Sequence, residues 1–153
     1  MQSDLIGRAA NTAEIQRRSK EQMAAIGVTP ETVEELVDAF YLRVQRHETL
    51  GPIFNAHIQD QWPEHMAQMK LFWIALAFKT GSYGGRPVQA HMRVVGITPD
   101  LFPQWLQLFR LTLEERNLSA EACDWFYTTA ERIAKSLTLS LFYNPAMDDP
   151  RGP

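Results

Sequence analysis

The sequence predicts an all-α protein, and three observations carry that expectation. Ser or Thr residues stand before runs whose apolar residues recur at helical spacing. The nine prolines and eight glycines fall between these runs as punctuation. No stretch alternates apolar and polar residues between hairpin turns. With 153 residues, 45% hydrophobic and 22% charged, the chain has the make-up of one compact domain around one core.

In chain order, Ala13 to Ile26 is expected as a short leading helix closed at Gly27, with residues 1–12 frayed. Thr29-Pro30-Glu31 is a helix start: Thr29 can cap free amides, Pro30 needs no amide at the first position, and Glu31 complements the dipole. Val33, Leu36, Val37, Phe40, Tyr41 and Val44 then share one face, and this helix is expected to stop before Gly51-Pro52. From Pro63 to about Lys79, His65 heads a stripe continued by Met69, Phe72, Trp73 and Leu76, closed by Thr80-Gly81. Ser82 to Pro87 is turn chemistry, and Pro87 opens a short helix through His91 that stops near Gly96. Thr98-Pro99-Asp100 repeats the cap arrangement for a helix to about Arg116, with Leu101, Trp105, Leu108, Phe109 and Thr112 on one face. Ser119 caps a long last helix with the stripe Ala122, Phe126, Ala130, Ile133, Leu137 and Leu141, ended by Pro145.

Composition removes several functions. The net charge is -3 and the 15 basic residues are scattered, so the electrostatic footprint of a nucleic-acid binder is missing. Cys123 is the single cysteine, which rules out an intramolecular disulfide or a cysteine-built metal site and fits a reducing cytoplasm; it reads as a small buried hydrophobe. The first ten residues lack the apolar run of a signal peptide, and Leu71 to Phe78 falls far short of the roughly 20 residues needed to span a bilayer. There is no Gly-x-Ser-x-Gly elbow, no His-Glu-x-x-His pair and no glycine-rich phosphate loop. His47 and His57 are expected on exposed surfaces.

Tyr41, His65 and Trp105 fall on faces expected to be buried, and each carries a polar atom that needs a partner. Singly, each has an ordinary explanation: a core Tyr or Trp turns its polar tip to the surface, and His91, near the end of a short helix, complements the C-terminal dipole. Together, from different helices, they suggest a shared polar target.

The order of motifs adds to this. Phe-Tyr-Leu-Arg-Val (40–44), Leu-Gly-Pro-Ile-Phe (50–54), Trp-Pro-Glu-His-Met-Ala-Gln-Met (62–69) and Phe-Trp (72–73) are followed by Tyr-Gly-Gly-Arg-Pro-Val-Gln-Ala-His (83–91) and Ile-Thr-Pro (97–99). Phe-Pro-Gln-Trp-Leu-Gln-Leu-Phe (102–109) and Arg-Ile-Ala-Lys-Ser-Leu (132–137) complete the series. From about Val33 to Phe142 the chain resembles the truncated haemoglobins, specifically group III, shortened globins with a two-over-two helical arrangement around haem.

The resemblance implies an N-terminal extension over 1–28, a truncated globin domain over 29–143 and a flexible tail over 144–153. It implies haem b, with His91 as the proximal iron ligand, a role neutral imidazole suits; its other ring nitrogen would need an acceptor, expected to be a backbone carbonyl one turn earlier. Phe54 is matched to the family's aromatic on the porphyrin. Lys79, Tyr83, Arg86 and Arg93 lie near the proximal segment as candidates for the propionates, and Arg93 is placed with Phe54, Met69, Phe72, Trp73 and His91 as haem-binding. His65 is matched to the distal histidine, and Tyr41 and Trp105 to the distal Tyr and Trp, whose hydroxyl and indole N–H can donate to a ligand at iron. Two such bonds of about 1–1.5 kcal/mol would slow ligand escape roughly 30- to 150-fold, which suits retention for chemistry better than delivery.

The implied ligands are dioxygen, nitric oxide, carbon monoxide or peroxide, with nitric oxide dioxygenase or peroxidase-like activity, a reductase partner, and a monomer or weak dimer in the cytoplasm. Two other readings stand beside this one. His65 and His91 could both ligate iron in an electron-transfer protein, or the aromatics could simply pack in a haem-free interaction or sensor domain.

Overall fold

The computed structural model describes residues 2–81 and 83–143, and every regular element among them is a helix. The expected tail over 144–153, and Ser82 within the expected turn, lie outside the described residues.

The first helix, α1 (Gln2–Ala25), is much longer than the sequence pattern suggests. Residues 2–12 are helical, although only Ser19 and Met23 of the whole helix are buried. Its middle is laced by ion pairs one turn apart, Arg17 to Glu14 and Glu21, and Arg18 to Glu14. Such pairs support a helix locally without leaving an apolar stripe. Gly27, at φ +84°, ends it in the left-handed conformation glycine favours. The Gly27 N–H donates to the Ala24 carbonyl at 3.0 Å and the Val28 N–H to the Met23 carbonyl at 2.8 Å, with Val28 buried beside Met23.

The second helix, α2 (Pro30–Arg46), starts where expected: the Thr29 hydroxyl accepts from the Thr32 N–H and Thr32 returns the bond to the Thr29 N–H. All six residues of its expected core face are buried. Each such side chain stabilises by roughly 1.5–3 kcal/mol when fully buried. That outweighs the surface ion pairs Lys70–Asp38, Arg43–Glu115 and Arg116–Glu35 that link α2 to its neighbours.

A helix then appears that the sequence pattern hides, α3 (Leu50–Ile58). Gly51 and Pro52 were expected to mark a break; they lie inside its first turn, where a missing amide costs no hydrogen bond. Its start is capped by His47, whose Nδ1 accepts from the Thr49 and Leu50 N–H groups at 3.2 and 3.0 Å. His47 is therefore half-buried and structural, not merely exposed. Gly51 is required by close approach: a Cβ there would stand 2.7 Å from the Gln45 carbonyl oxygen.

The remaining helices are α4 (Trp62–Phe78), α5 (Pro87–Met92), α6 (Leu101–Glu115) and α7 (Ala120–Phe142). Leu76, expected in the α4 stripe, is 37% exposed. At α6, Asp100 makes no side-chain cap because its carboxylate takes the Thr98 hydroxyl at 2.5 Å. Ser119 caps α7 as expected, accepting from Ala122 N–H at 3.1 Å, and donates to the Ile26 carbonyl at 2.8 Å, which ties the start of α7 to the end of α1. Cys123 is half-buried against the Leu113 carbonyl.

Helix α2 packs on α3, α4 and α6, and α6 packs on α7. Two helix pairs thus face each other, α2 with α4 and α6 with α7. Their meeting is aromatic: Phe109 lies edge-on to Phe40 at 5.1 Å and stacks with Trp73 at 5.5 Å and Trp105 at 5.7 Å. This cluster fixes the inner ends of α4 and α6, and so fixes what lies between them.

Candidate functional site

A cavity of about 290 Å³ opens between α3, α4, α5, α6 and α7, with Tyr41 of α2 at its wall. That is near the lower end of the roughly 300–1,000 Å³ common for small-molecule pockets. Tyr41, Phe54, His65, Met69, Phe72, Trp73, His91 and Trp105 all line it. Arg93 does not; it is exposed one residue past α5. A larger open groove of about 510 Å³ between α6 and α7 shares the walls Phe102 and Ala134 but carries neither histidine nor tyrosine.

Tyr41 is buried, at 4% exposure. Burial pushes its phenol above the ordinary range, and the neighbouring Trp105 indole, a donor only, pulls the other way. The phenol stays protonated at neutral pH and can donate its hydrogen into the cavity it lines. Trp105 is held by stacking on Phe109 and by the edge of Phe40 at 5.5 Å.

His65 is half-buried against two neighbouring aromatic rings, its own ring 5.3 Å from Tyr41 and 5.5 Å from Trp62, both near perpendicular. Its Nε2 is the one buried side-chain nitrogen or oxygen among the described residues with no hydrogen-bond partner. Burial, with smaller contributions from His91 and His57, lowers its pKa to about 4, so the ring is neutral at physiological pH. An orphaned polar atom in a pocket wall is costly unless something completes it.

His91, half-buried on α5, sets its Nδ1 2.6 Å from the Pro87 carbonyl oxygen, one turn earlier. A carbonyl only accepts, so the hydrogen sits on Nδ1 and the Nε2 lone pair is left for a ligand. Phe54 stacks on Trp62 at 6.4 Å, and Phe72 meets Tyr83 edge-on at 5.0 Å. Tyr83 also lines the cavity, and burial raises its phenol pKa.

Some lining residues escape the sequence reading. His57 belongs to the wall although it is exposed; it sits one turn after Phe54 on α3, a relation visible only once that segment is known to be helical. Trp62 does not line the cavity but stands behind it, one turn before His65, a spacing the sequence does display.

The chain is 33% identical over 89 residues to the group 3 truncated haemoglobin ctb of Campylobacter jejuni, a match spanning 56% of this chain and 70% of that protein. The chain belongs to the group III truncated haemoglobins. Its fold is similar to the crystal structure of the group III truncated haemoglobin from Campylobacter jejuni, with a TM-score of 0.70 and 29% identity over 76% of this chain and 94% of that one. No protein-family model matches the chain.

The donor set of this truncated haemoglobin fits a haem. One imidazole is pre-set with Nε2 free, a second has a buried Nε2 without a partner, and the walls between them are largely aromatic and aliphatic. No helix among the described residues is long and apolar enough to cross a membrane.

Proposed function

We propose that this chain holds haem b through His91 Nε2 and uses Tyr41, Trp105 and His65 to bind and retain a diatomic ligand or peroxide for chemistry. The observation that carries the reading is the convergence of the free imidazole edge of His91 and the unpartnered His65 Nε2 on the cavity that Tyr41 and Trp105 line. When bound, haem supplies an iron centre with an open position for dioxygen, nitric oxide, carbon monoxide or peroxide.

The residues divide the work. The Pro87 carbonyl fixes the His91 tautomer and ring orientation. Phe54, Met69, Phe72 and Trp73 offer the apolar walls that would clasp the ring and keep water out. Arg93, exposed at the end of α5, could meet a propionate only at the solvent edge. Tyr41 holds a proton it can donate to an electron-rich ligand, and the Trp105 indole N–H in the same cavity offers a second donor. Neutral His65 can accept or donate at Nε2, as its tautomer dictates. A pocket of donors that keep their protons favours retention, and with it nitric oxide oxidation or peroxide turnover supported by a reductase, over simple carriage.

The unpartnered His65 Nε2 also favours a second reading, in which His65 and His91 both ligate iron and the protein transfers electrons. Visible spectra of the ferric and reduced protein, with and without carbon monoxide, separate the two. A band that moves on adding carbon monoxide supports the proposed function, an unmoved band supports two strong axial ligands, and absence of specific haem uptake refutes both. His91→Ala should abolish stable haem binding, and full retention with an unchanged spectrum would remove His91 from the ligand role.

A further inference from the structure

The corner between α3 and α4 carries a hydrogen-bonded chain with no role in the site as described so far. The Asn55 amide nitrogen donates to the Gln45 carbonyl at 3.2 Å, and the Trp62 indole N–H donates to the Asn55 side-chain oxygen at 3.0 Å. The chain therefore runs from the last turn of α2, through α3, to the first residue of α4.

It matters because α4 begins without support. Gln61 makes no side-chain cap, so the free amides of the first turn are not gathered by the usual means. Just before it, Gln59 adopts φ +58° and ψ -121°, a backbone conformation that L side chains rarely take and that persists only where neighbours enforce it. The Trp62–Asn55 bond is the tether across this strained corner.

The tethered ring also backs the wall of the site, against Phe54 and His65. Trp62 stacks on Phe54 at 6.4 Å with planes 15° apart, and its ring stands perpendicular to His65 at 5.5 Å, next to the Tyr41 ring, which lies 5.3 Å from His65 and 6.2 Å from Trp62. The His65 ring is packed against Tyr41 and Trp62, and only Trp62 can be released by breaking a side-chain hydrogen bond at the helix corner.

We propose that Trp62, locked by Asn55, is a positioning residue that keeps the His65 ring in the cavity, and that release of this latch lets His65 swing out and opens the pocket to ligand. The effect on ligand entry rests on the proposed haem site; the effect on the His65 ring does not.

The test compares this chain with N55L, which removes both the acceptor for Trp62 and the donor to Gln45, with W62F, which keeps an aromatic ring and removes its donor, and with N55D, which gives up the donor to Gln45 but keeps an acceptor oxygen for the indole. The first readout is the NMR spectrum of the His65 ring, taken in the carbon monoxide-bound holoprotein and in the haem-free chain. N55L and W62F should give a second His65 conformer, and N55D should restore the single one. The second readout is the carbon monoxide association rate, expected to rise roughly 2- to 10-fold in N55L, the size of one lost hydrogen bond. In a His65→Ala background N55L should leave that rate unchanged, because the coupling runs through His65. A single unshifted His65 conformer in both variants, or an equal acceleration with and without His65, overturns the proposal. A chain that takes up no haem but still shows the second His65 conformer supports the latch while removing the haem reading.

Discussion

The hydroxyl of Tyr41 keeps its proton because burial resists ionisation, and the Trp105 indole N–H lines the same cavity, so the site offers two donors. Removing either should therefore cost about one hydrogen bond to the ligand. Tyr41→Phe and Trp105→Leu are each expected to speed dioxygen release about 10-fold or more, and the double variant should fall short of the product of the two, as stopped-flow displacement by carbon monoxide would read. Unchanged off-rates would remove both from ligand retention. His65 gives a second prediction. Its folded pKa, about 4, lies below the ordinary 6.5, so between these values the unfolded chain binds a proton that the folded chain refuses. Stability must then fall as pH drops from about 6.5 towards 4. Allowing for partial exposure, His65 should account for about 1–2 kcal/mol of that loss in the haem-free chain. Urea midpoints of the wild type and His65→Gln should converge at low pH and separate above 6.5; parallel curves would mean that His65 is not held neutral. Tyr41, His65, Met69, Phe72 and Trp105 were legible in the sequence because each lies on a helical face whose period is written in its neighbours. The Trp62–Asn55 bond was not, because it joins residues seven apart across a corner that no periodicity describes.

At the scale of elements, α2 and α7 were legible because each joins a Thr or Ser cap to an unbroken apolar stripe. Helix α3 was not. Its first turn contains the Gly-Pro pair that reads as a break, and its cap is a histidine side chain, outside the usual vocabulary of cap residues. The early half of α1 was hidden for another reason: it contributes no core stripe, Ser19 being the first buried residue, and the ion pairs that lace the helix begin only at Glu14. Gly51 turns this account of α3 into a measurement. Glycine inside a helix normally costs about 0.5–1 kcal/mol against alanine, so Gly51→Ala would ordinarily stabilise. Here the added methyl would meet the Gln45 carbonyl oxygen at 2.7 Å, and that neighbour is backbone, with no rotamer to yield. The sign should reverse, to a loss of about 1–3 kcal/mol in urea unfolding. The same carbonyl accepts the Asn55 amide, so the substitution should also loosen the α3–α4 corner. A stabilising Gly51→Ala would mean that α3 stands further from α2 than the structure places it.

The molecule as a whole is a compact body of two facing helix pairs with the cavity between them, and α1 joins it only through its last turns. Ser19 and Met23 are the buried residues of that helix, while Leu5 and Ile6 are 64% and 70% exposed. Anchorage continues beyond it, through the turn that buries Val28 and the Ser119 bond to the Ile26 carbonyl. Burial, not helicity, decides what a segment contributes to global stability, because an exposed helix of this length repays little more than its own conformational entropy. A chain that starts at Arg18 loses the Glu14–Arg17–Glu21 pairs but keeps every buried contact of α1. Pairs so exposed contribute little to the rest of the fold. The shortened chain should therefore unfold within about 4 °C of the full one, the shift expected for less than about 1 kcal/mol in a domain of this size. Its carbon monoxide-bound spectrum and ligand rates should be unchanged, since no residue before Arg18 lines the cavity. A larger fall in midpoint, and above all one that shrinks on dilution of the full chain, would show that Leu5 and Ile6 are covered in solution and that the extension belongs to an assembly.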